Sequence, residues 1–251
     1  AGYSSQNGAA TSVGLSDSNF YGTGNKINAD LSLSSDSIFY DLSYKRFYLG
    51  NYNIDNTSRV FNKSENLVST YGYKRKSSGI DFTLKIPHKY DISNDQYFLL
   101  SSGYETSDIY SLSSLASSSV KQNSGKSNNI FFHTSYVGNT TNDNFNPTSG
   151  SYSKTTLSFV PTGISDDDYI KISSVNNFYF NNKINDNSIF VLSKIGLASG
   201  LSNKIKTKDS FSLGGDFKGF QYSGIGPRDA SSNYLGGTKM YQLTLGYSTP
   251  F

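Results

Sequence analysis

The stretch GIDFTLKI, residues 79–86, alternates strictly between apolar and polar side chains. Its apolar residues fall on one face of an extended chain, and its polar residues fall on the other: Ile80, Phe82, Leu84 and Ile86 against Asp81, Thr83 and Lys85. A period of two is typical of a β-strand that has one apolar face. The stretch therefore predicts a strand and excludes an amphipathic helix here.

The same period recurs along the chain, at 27–33, 130–136, 189–197 and 241–247, and no stretch combines helical spacing with helix caps. The sequence therefore predicts an all-β protein with no domain boundary. The twelve predicted strands are 1–5, 9–17, 25–35, 38–48, 66–76, 78–87, 95–106, 127–138, 150–161, 168–181, 187–199 and 238–248.

The connections between these strands are of two kinds. Tight turns are predicted at 4–10, which contains Asn-Gly, and at 20–25. Long polar loops are predicted at 50–65, 108–127 and 200–237. Short turns at one end and long loops at the other are typical of a bacterial outer-membrane barrel, although some soluble β-sandwiches share the pattern.

The composition agrees with a barrel. Aromatic residues make up 15 % of the chain while the mean hydropathy is only -0.47. A barrel strand exposes only every second residue to lipid, so its mean hydropathy stays low without a run of 18 apolar residues. A net charge of +3 with mixed signs argues against a nucleic-acid partner, and the absence of cysteine excludes a disulfide framework.

No catalytic or cofactor-binding pattern is present. His88 and His133 lie on separate predicted strands, and we interpret both as ordinary barrel residues. The acidic run 166–168 lacks the spaced donors of a calcium loop and is interpreted as a solvated turn. There is no phosphate-binding loop and no serine nucleophile elbow. The sequence predicts a protein that is not an enzyme and has no cofactor or metal.

The segment SLGGDFKGFQYSGIGPRD, residues 212–229, resembles with its flanks the loop motif of the BamA family, the barrel assembly factors of the bacterial outer membrane. That family has a phenylalanine and two glycines before (V/I)RGF, followed by GIGP, a basic residue and Asp, and then GG. The matching residues here are Phe211, Gly214, Gly215, Lys218, Gly219, Phe220, Gly224, Ile225, Gly226, Pro227, Arg228, Asp229, Gly236 and Gly237.

Three further segments resemble the family in the same order along the chain. DSNFYGTGN at 17–25 is similar to the family's GTG turn, NFNPTSGSY at 144–152 to its PTxG strand opening, and LGYSTPF at 245–251 to a strand ending in PTPF. The resemblance therefore covers essentially the whole chain.

The resemblance implies that the 212–229 loop folds into the barrel. Its implied motif residues are Gly214, Gly215, Lys218, Gly219, Phe220, Gly226, Pro227, Arg228 and Asp229. Glycine allows the sharp turns that such a loop needs, and Phe220 is the expected apolar anchor. The family's Arg contacts an acidic wall residue, whereas this chain has Lys218 and, at the expected acidic position, Gly246.

The resemblance also implies a transmembrane barrel of sixteen strands, of which about twelve are present, so that 1–251 is a barrel domain incomplete at its C-terminal end. POTRA domains would precede it. The implied function is assembly and insertion of β-barrel proteins into the bacterial outer membrane. A client strand would pair at a lateral seam with the first strand, at Gly2, Tyr3, Ser4 and Ser5. Implied partners are outer-membrane lipid, unfolded client barrels and accessory lipoproteins.

Two other functions stay open at the level of sequence. The chain could be the pore of a two-partner-secretion exporter of the same superfamily, with the mitochondrial and plastid relatives as a close variant. From a different class, it could be a secreted Ser/Asn-rich β adhesin. An adhesin would lack a continuous apolar band on the outward face of its paired strands.

Overall fold

The computed structural model describes residues 2–4, 8–50, 52–91, 94–114, 116, 118–182, 187–215, 217, 219–221 and 223–249. The strands are β1 Gly2–Ser4, β2 Gly8–Asp17, β3 Lys26–Ser34, β4 Ser37–Arg46, β5 Asp55–Leu67, β6 Tyr73–Asp91, β7 Asn94–Tyr110, β8 Gly125–Asn139, β9 Gly150–Val160, β10 Tyr169–Asn182, β11 Asn187–Gly200 and β12 Lys239–Ser248. The short helices are a 3-10 turn at Phe20–Gly22, α1 Val68–Tyr71 and α2 Ser118–Gln122. None of the described helices is long and apolar enough to cross a membrane.

The strands form one antiparallel sheet in which each strand pairs with its neighbours in sequence, from β1 to β12. This order is a simple meander, and it confirms the predicted all-β architecture. The pairing of β1 is short, from Gly2 opposite Ala10 to Ser4 opposite Gly8. The remaining strand pairs hold longer registers; β10 and β11, for example, are paired from Tyr169–Gly200 to Asn182–Asn187. The register of β6 and β7 shifts once, between Pro87 and Lys89.

In an antiparallel meander, alternate connections lie at the same end of the sheet. The connections 111–124, 161–168 and 201–238 follow odd-numbered strands and so share one end, which we call the long-loop end. Helices α1 and α2 lie at that end too. The connections 18–25 and 47–54 lie at the opposite end.

One face of the sheet carries at least one exposed large apolar side chain on every strand from β2 to β12, and we call it the outer face. Its exposed large side chains are Val13, Leu15, Leu33, Ile38, Tyr40, Leu42, Val60, Ile80, Phe82, Phe98, Leu100, Tyr104, Phe132, Leu157, Phe159, Ile170, Ile172, Phe178, Phe180, Ile189, Ile195, Leu197, Tyr241, Leu243, Leu245 and Tyr247. The opposite, inner face carries paired charges, such as Arg59 with Asp81 at 2.6 Å. An apolar outer face and a polar inner face are typical of a membrane barrel.

One predicted strand is wrong. The sequence predicts a loop over 50–65 and a strand over 66–76, but β5 occupies Asp55–Leu67 and α1 interrupts the predicted strand. β5 shows little apolar alternation because its outer face is mostly polar, with Ser58 and Asn62 on either side of Val60. Its inner face is charged. Arg59, Lys63 and Glu65 all lie in ion pairs there, so a polar sequence still forms a strand.

The inner face has three places where an aromatic ring lies over a glycine of the adjacent strand. Phe61 is the Cα partner of Gly79, and Phe131 is the partner of Gly103. Phe190 is the partner of Gly246 in the same way. A β-carbon at Gly246 would overlap the Phe190 ring. Gly246, where the resemblance implied an acidic residue, therefore makes room for an aromatic side chain.

Candidate functional site

The connection 201–238 folds over the inner face, and we call it the inward loop. Its first and last parts meet, because Phe211 and Gly237 exchange two backbone hydrogen bonds of 2.9 and 3.0 Å. We call residues 206–211 with 236–237 the neck and residues 212–235 the tip segment. The tip segment contains the motif that prompted the resemblance.

A cluster of opposite charges lies at the neck. Lys208 Nζ lies 2.8 Å from Asp167 Oδ2 and 3.0 Å from Asp209 Oδ2. Lys206 also forms an ion pair with Asp167. The side chains of Lys208 and Asp167 are only 6 % and 3 % exposed. The cluster is thus a buried charged contact between the inward loop and the 161–168 connection.

The cluster shifts the protonation equilibria of both buried groups. Burial alone would raise the pKa of Asp167, but the charge of Lys208 and hydrogen bonds from Lys206, Lys208 and Asn129 outweigh it and lower that pKa. Burial alone would lower the pKa of Lys208, but the charges of Asp209 and Asp167 raise it. Both groups are therefore charged across the physiological pH range.

The 161–168 connection is itself held firmly on β8. The amide of Asn129 donates to Asp167 Oδ2 at 2.8 Å, and the backbone N–H of Asp167 donates to Asn129 Oδ1 at 2.9 Å. The backbone N–H of Asn128 donates to Asp166 Oδ2 at 2.7 Å. Asp167 therefore faces the neck from a fixed position.

The neck also contacts the wall of the sheet through Phe211, which is 7 % exposed. The Phe211 ring lies over Gly196 of β11, where a β-carbon would overlap the ring. Lys171 Nζ on β10 lies 4.3 Å from the centre of the same ring and donates to the backbone carbonyl of Asp209 at 2.9 Å. This combines an apolar contact with a cation–π contact.

The tip segment reaches the connection between β5 and β6, four strands away in the sheet from β10. The backbone N–H of Tyr234 donates to the carbonyl of Thr70 at 2.8 Å. The hydroxyls of Tyr71 and Ser223 are hydrogen-bonded at 2.8 Å. Tyr234 also packs with buried residues of this end in a small apolar cluster: Tyr71, Tyr73, Ile109, Ala116 and Val120.

Two glycines explain why the tip segment is rich in glycine. Gly214 has a φ of +144°, and a β-carbon there would overlap the carbonyl oxygen of Gln221. Gly226 has a φ of +132°, and its β-carbon would lie 2.7 Å from the Tyr234 ring. Both positions combine an unusual backbone conformation with a close approach of other atoms, so glycine is required.

The charged motif residues Arg228 and Asp229 form hydrogen bonds within the loop itself. Arg228 donates to the carbonyls of Ser232 at 2.7 Å and Ser223 at 3.0 Å. Asp229 accepts from the backbone N–H of Asn233 at 2.8 Å. The carbonyl of Pro227 accepts from the backbone N–H of Leu235 at 3.0 Å. These contacts fix the turn at 228–234.

The other motif residues differ in their placement. Gly215 and Gly219 are exposed, and Lys218 lies outside the described residues. Phe220 is 49 % exposed and contacts Phe217, with ring centres 5.4 Å apart. In the described structure Phe211 is the buried aromatic that contacts the wall, whereas Phe220 is half-exposed.

Phe217 lies at a cavity of about 600 Å³ on the inner face of β10–β12. The cavity is also lined by Thr244 and Gly246 of β12, and by Lys194 of β11. Phe217, which precedes Lys218 in the chain, thus faces the inner wall.

Three of the predicted seam residues form β1, the strand at one edge of the sheet: Gly2, Tyr3 and Ser4. Ser5 lies outside the described residues. His133 stacks on Phe131 on the inner face, with ring centres 4.8 Å apart. The described residues contain no group of three His, Asp or Glu side chains that could hold a metal ion.

A sequence profile of the Omp85 superfamily domain matches residues 19–251. The chain belongs to the Omp85 superfamily. No curated protein sequence matches it. Among solved structures, BamA from Haemophilus ducreyi lacking POTRA domains 1-3 is similar over 99 % of this chain and 52 % of that one, with a TM-score of 0.84 and 21 % identity. CdiB from Acinetobacter baumannii is similar over 96 % and 43 %, with a TM-score of 0.56 and 12 % identity.

These similarities establish a BamA-like barrel fold. This Omp85 chain spans about half the length of the solved structures that it resembles. Family membership and the apolar band on eleven consecutive strands argue against the secreted adhesin, which was expected to lack such a band.

Sequence reasoning missed the charged contact at the neck of this Omp85 loop. It interpreted Asp166–Asp168 as a solvated turn, but Asp167 is buried against two lysines. A signal was present in the sequence: lysines alternate at 204, 206 and 208 in NKIKTKD, and the only acidic triplet of the chain lies at 166–168. Two such segments on neighbouring connections of a meander can meet.

Proposed function

We propose that this chain is the barrel region of an Omp85 protein that assembles and inserts β-barrel proteins into the bacterial outer membrane. The observation that carries the proposal is the agreement with BamA over 99 % of the chain at a TM-score of 0.84. The inward loop supports it, since it holds the GIGPRD motif and the glycines on which the resemblance rests.

The mechanism follows from the physics of strands in lipid. An unpaired strand carries N–H and C=O groups that lipid cannot satisfy, at several kcal/mol each. A barrel with an available edge strand can satisfy them by β-augmentation. In the described sheet β1 is the edge strand and pairs with β2, and we propose that a client strand pairs with β1.

The proposal extends to location and partners. The apolar outer face fits outer-membrane lipid, and the clients are unfolded β-barrel proteins. We further propose that residues 1–251 are one barrel domain, that accessory lipoproteins act through POTRA domains elsewhere in the protein, and that no enzymatic step is involved.

The test is insertion of a purified, urea-unfolded outer-membrane barrel into vesicles that contain the full-length protein. Folded client is measured by its altered mobility on unheated gels. Tyr3→Pro removes one backbone donor from β1, and Tyr3→Ala keeps that donor while removing the side chain. We expect insertion well above that of empty vesicles, reduced by Tyr3→Pro and retained by Tyr3→Ala.

Two results would contradict the proposal, one of them the insertion function and the other the templating at β1. Client folding equal to that in empty vesicles excludes an insertion function. Equal activity of the proline and alanine variants excludes templating at β1 while leaving insertion standing.

Export is the second candidate, because the fold also resembles CdiB at a TM-score of 0.56. An exporter moves a dedicated substrate across the membrane, whereas an insertase accepts many unrelated barrels. Vesicles that insert several unrelated clients favour assembly; vesicles that insert none and release one co-expressed secreted protein favour export.

A further inference from the structure

The inward loop contacts the barrel at two places that are far apart in the sheet. The tip segment meets α1 between β5 and β6, where Tyr71 and Thr70 bind it. The neck meets the 161–168 connection and the wall at β10 and β11. The loop therefore spans the inner face between these two regions.

The two contacts differ in chemistry. The contact with α1 consists of neutral hydrogen bonds and apolar packing. The contact at the neck consists of charges that are almost fully buried, with Lys208 placed between Asp167 and Asp209. Removing one partner of a buried ion pair leaves an uncompensated buried charge, which strongly destabilises such a contact.

Asp167 is the centre of the neck contact. It is the acceptor for both Lys206 and Lys208, and Asn129 holds its carboxylate and its backbone in place. Asp209, by contrast, belongs to the neck and moves with it. Among the described ion pairs of the neck, Asp167 is thus the acidic partner that belongs to a part of the barrel outside the loop.

We propose that Asp167 is a positioning residue that locks the neck of the inward loop to the barrel through Lys206 and Lys208, so that the loop braces the wall between the β5–β6 and β9–β10 connections. The proposal concerns the placement of the loop and deepens the proposed function by naming what sets that placement.

The test uses the full-length protein in outer membranes, with a single reporter cysteine. Thr207 at the neck is 7 % exposed, and residues 1–251 contain no cysteine. The labelling rate of Thr207→Cys by a water-soluble maleimide therefore measures opening of the neck. We expect Asp167→Asn and Lys208→Gln each to raise that rate by at least ~10-fold.

A matched control is available in the same connection, two residues before the neck. Lys204 is exposed, and in the described residues it has no ion pair. Lys204→Gln should leave the labelling rate unchanged although it removes the same charge. Asp167→Glu, which keeps the charge, should raise the rate by much less than Asp167→Asn.

A charge exchange separates the lock from a general structural role. Asp167→Lys should label fast, and adding Lys208→Asp should slow labelling again because the cluster regains its balance of charges. If both single neutral variants label at the parent rate while the barrel is folded, as judged by gel mobility, the proposal is wrong.

If Asp167→Asn does not fold, the labelling rates of Lys206→Gln and Lys208→Gln test the proposal instead. Labelling at the parent rate in both variants would show that the ion pairs do not hold the neck. The labelling readout is independent of insertion. A protein that inserts no clients would refute the proposed function, and the labelling rates would still decide whether Asp167 holds the neck.

Discussion

The neck and the tip segment of the inward loop are held in place by different physical means. The neck is fixed to the barrel by buried charges and by Phe211 over Gly196. The tip segment is shaped mainly by its own backbone, through glycines at Gly214 and Gly226 and the turn held by Asp229. The motif by which the loop resembles its family thus sets its shape, while the neck is attached by residues outside the 212–229 stretch.

The largest expected effect separates the two phenylalanines. Phe211→Ala removes a buried ring from the wall and should cost about 3 kcal/mol of loop docking, roughly 100-fold in neck opening. Phe220→Ala removes a half-exposed ring and should cost less than about 0.5 kcal/mol. Hydrogen exchange at the amides of Phe211 and Gly237, which bond each other, measures both variants.

Equal exchange in the Phe211 and Phe220 variants would remove the distinction between neck and tip. Faster exchange in the Phe220 variant would restore Phe220 as the anchor.

The next effect should stay within the tip segment. Gly214→Ala forces a β-carbon onto the carbonyl of Gln221 at a φ of +144° and should cost about 2 kcal/mol. Limited proteolysis should then cut within 212–235, while exchange at the neck amides stays at the parent level. Gly219→Ala is the control, since open space surrounds Gly219 and its smaller penalty comes from φ alone. Release of the neck by Gly214→Ala would show that the two regions are not independent.

A smaller effect is expected at the contact with α1. Tyr71→Phe leaves the buried hydroxyl of Ser223 without its partner and should cost about 1 kcal/mol. The midpoint of heat-induced mobility change on gels should fall by roughly 2–4 °C. Tyr241→Phe, on the exposed outer face of β12, is the control and should leave the midpoint unchanged. Equal midpoints for the two variants would exclude this contact as an anchor.

The smallest effect is expected from pH. The pKa of Asp167 lies below its usual 3.8, so its stabilisation is complete above 3.8 and is lost only as the pH falls through that lowered value. The pKa of Lys208 lies above its usual 10.5, so its stabilisation is complete below 10.5 and is lost as the pH rises through the raised value.

Labelling of the neck, corrected for the intrinsic reactivity of the reporter thiol, should therefore be constant between about pH 5 and 9. A transition inside that window would mean that another titrating group controls the neck.

Much of the fold could be predicted from the sequence, because an apolar outer face imposes a period of two. GIDFTLKI and its repeats lie in β6 and the other strands as predicted, with the apolar side outward. β5 could not be predicted in the same way. Its outer face has Val60 between Ser58 and Asn62, so the apolar period of two is absent, and its inner charges are stabilised by Asp81 and Arg75 on another strand.

The candidate site likewise has one part that the sequence predicted and another that only the tertiary structure determined. The glycines of 212–229 and their spacing are local requirements of backbone conformation, so the sequence alone pointed to an ordered loop. The choice of Phe211 over Phe220 as the buried ring depends on Gly196, which is remote in sequence. Lys208 and Asp167 lie 41 positions apart and meet only because the meander brings two connections to one end. Backbone conformation and strand alternation depend on residues that are close in sequence, whereas burial and charge pairing depend on which distant residues the sheet brings together.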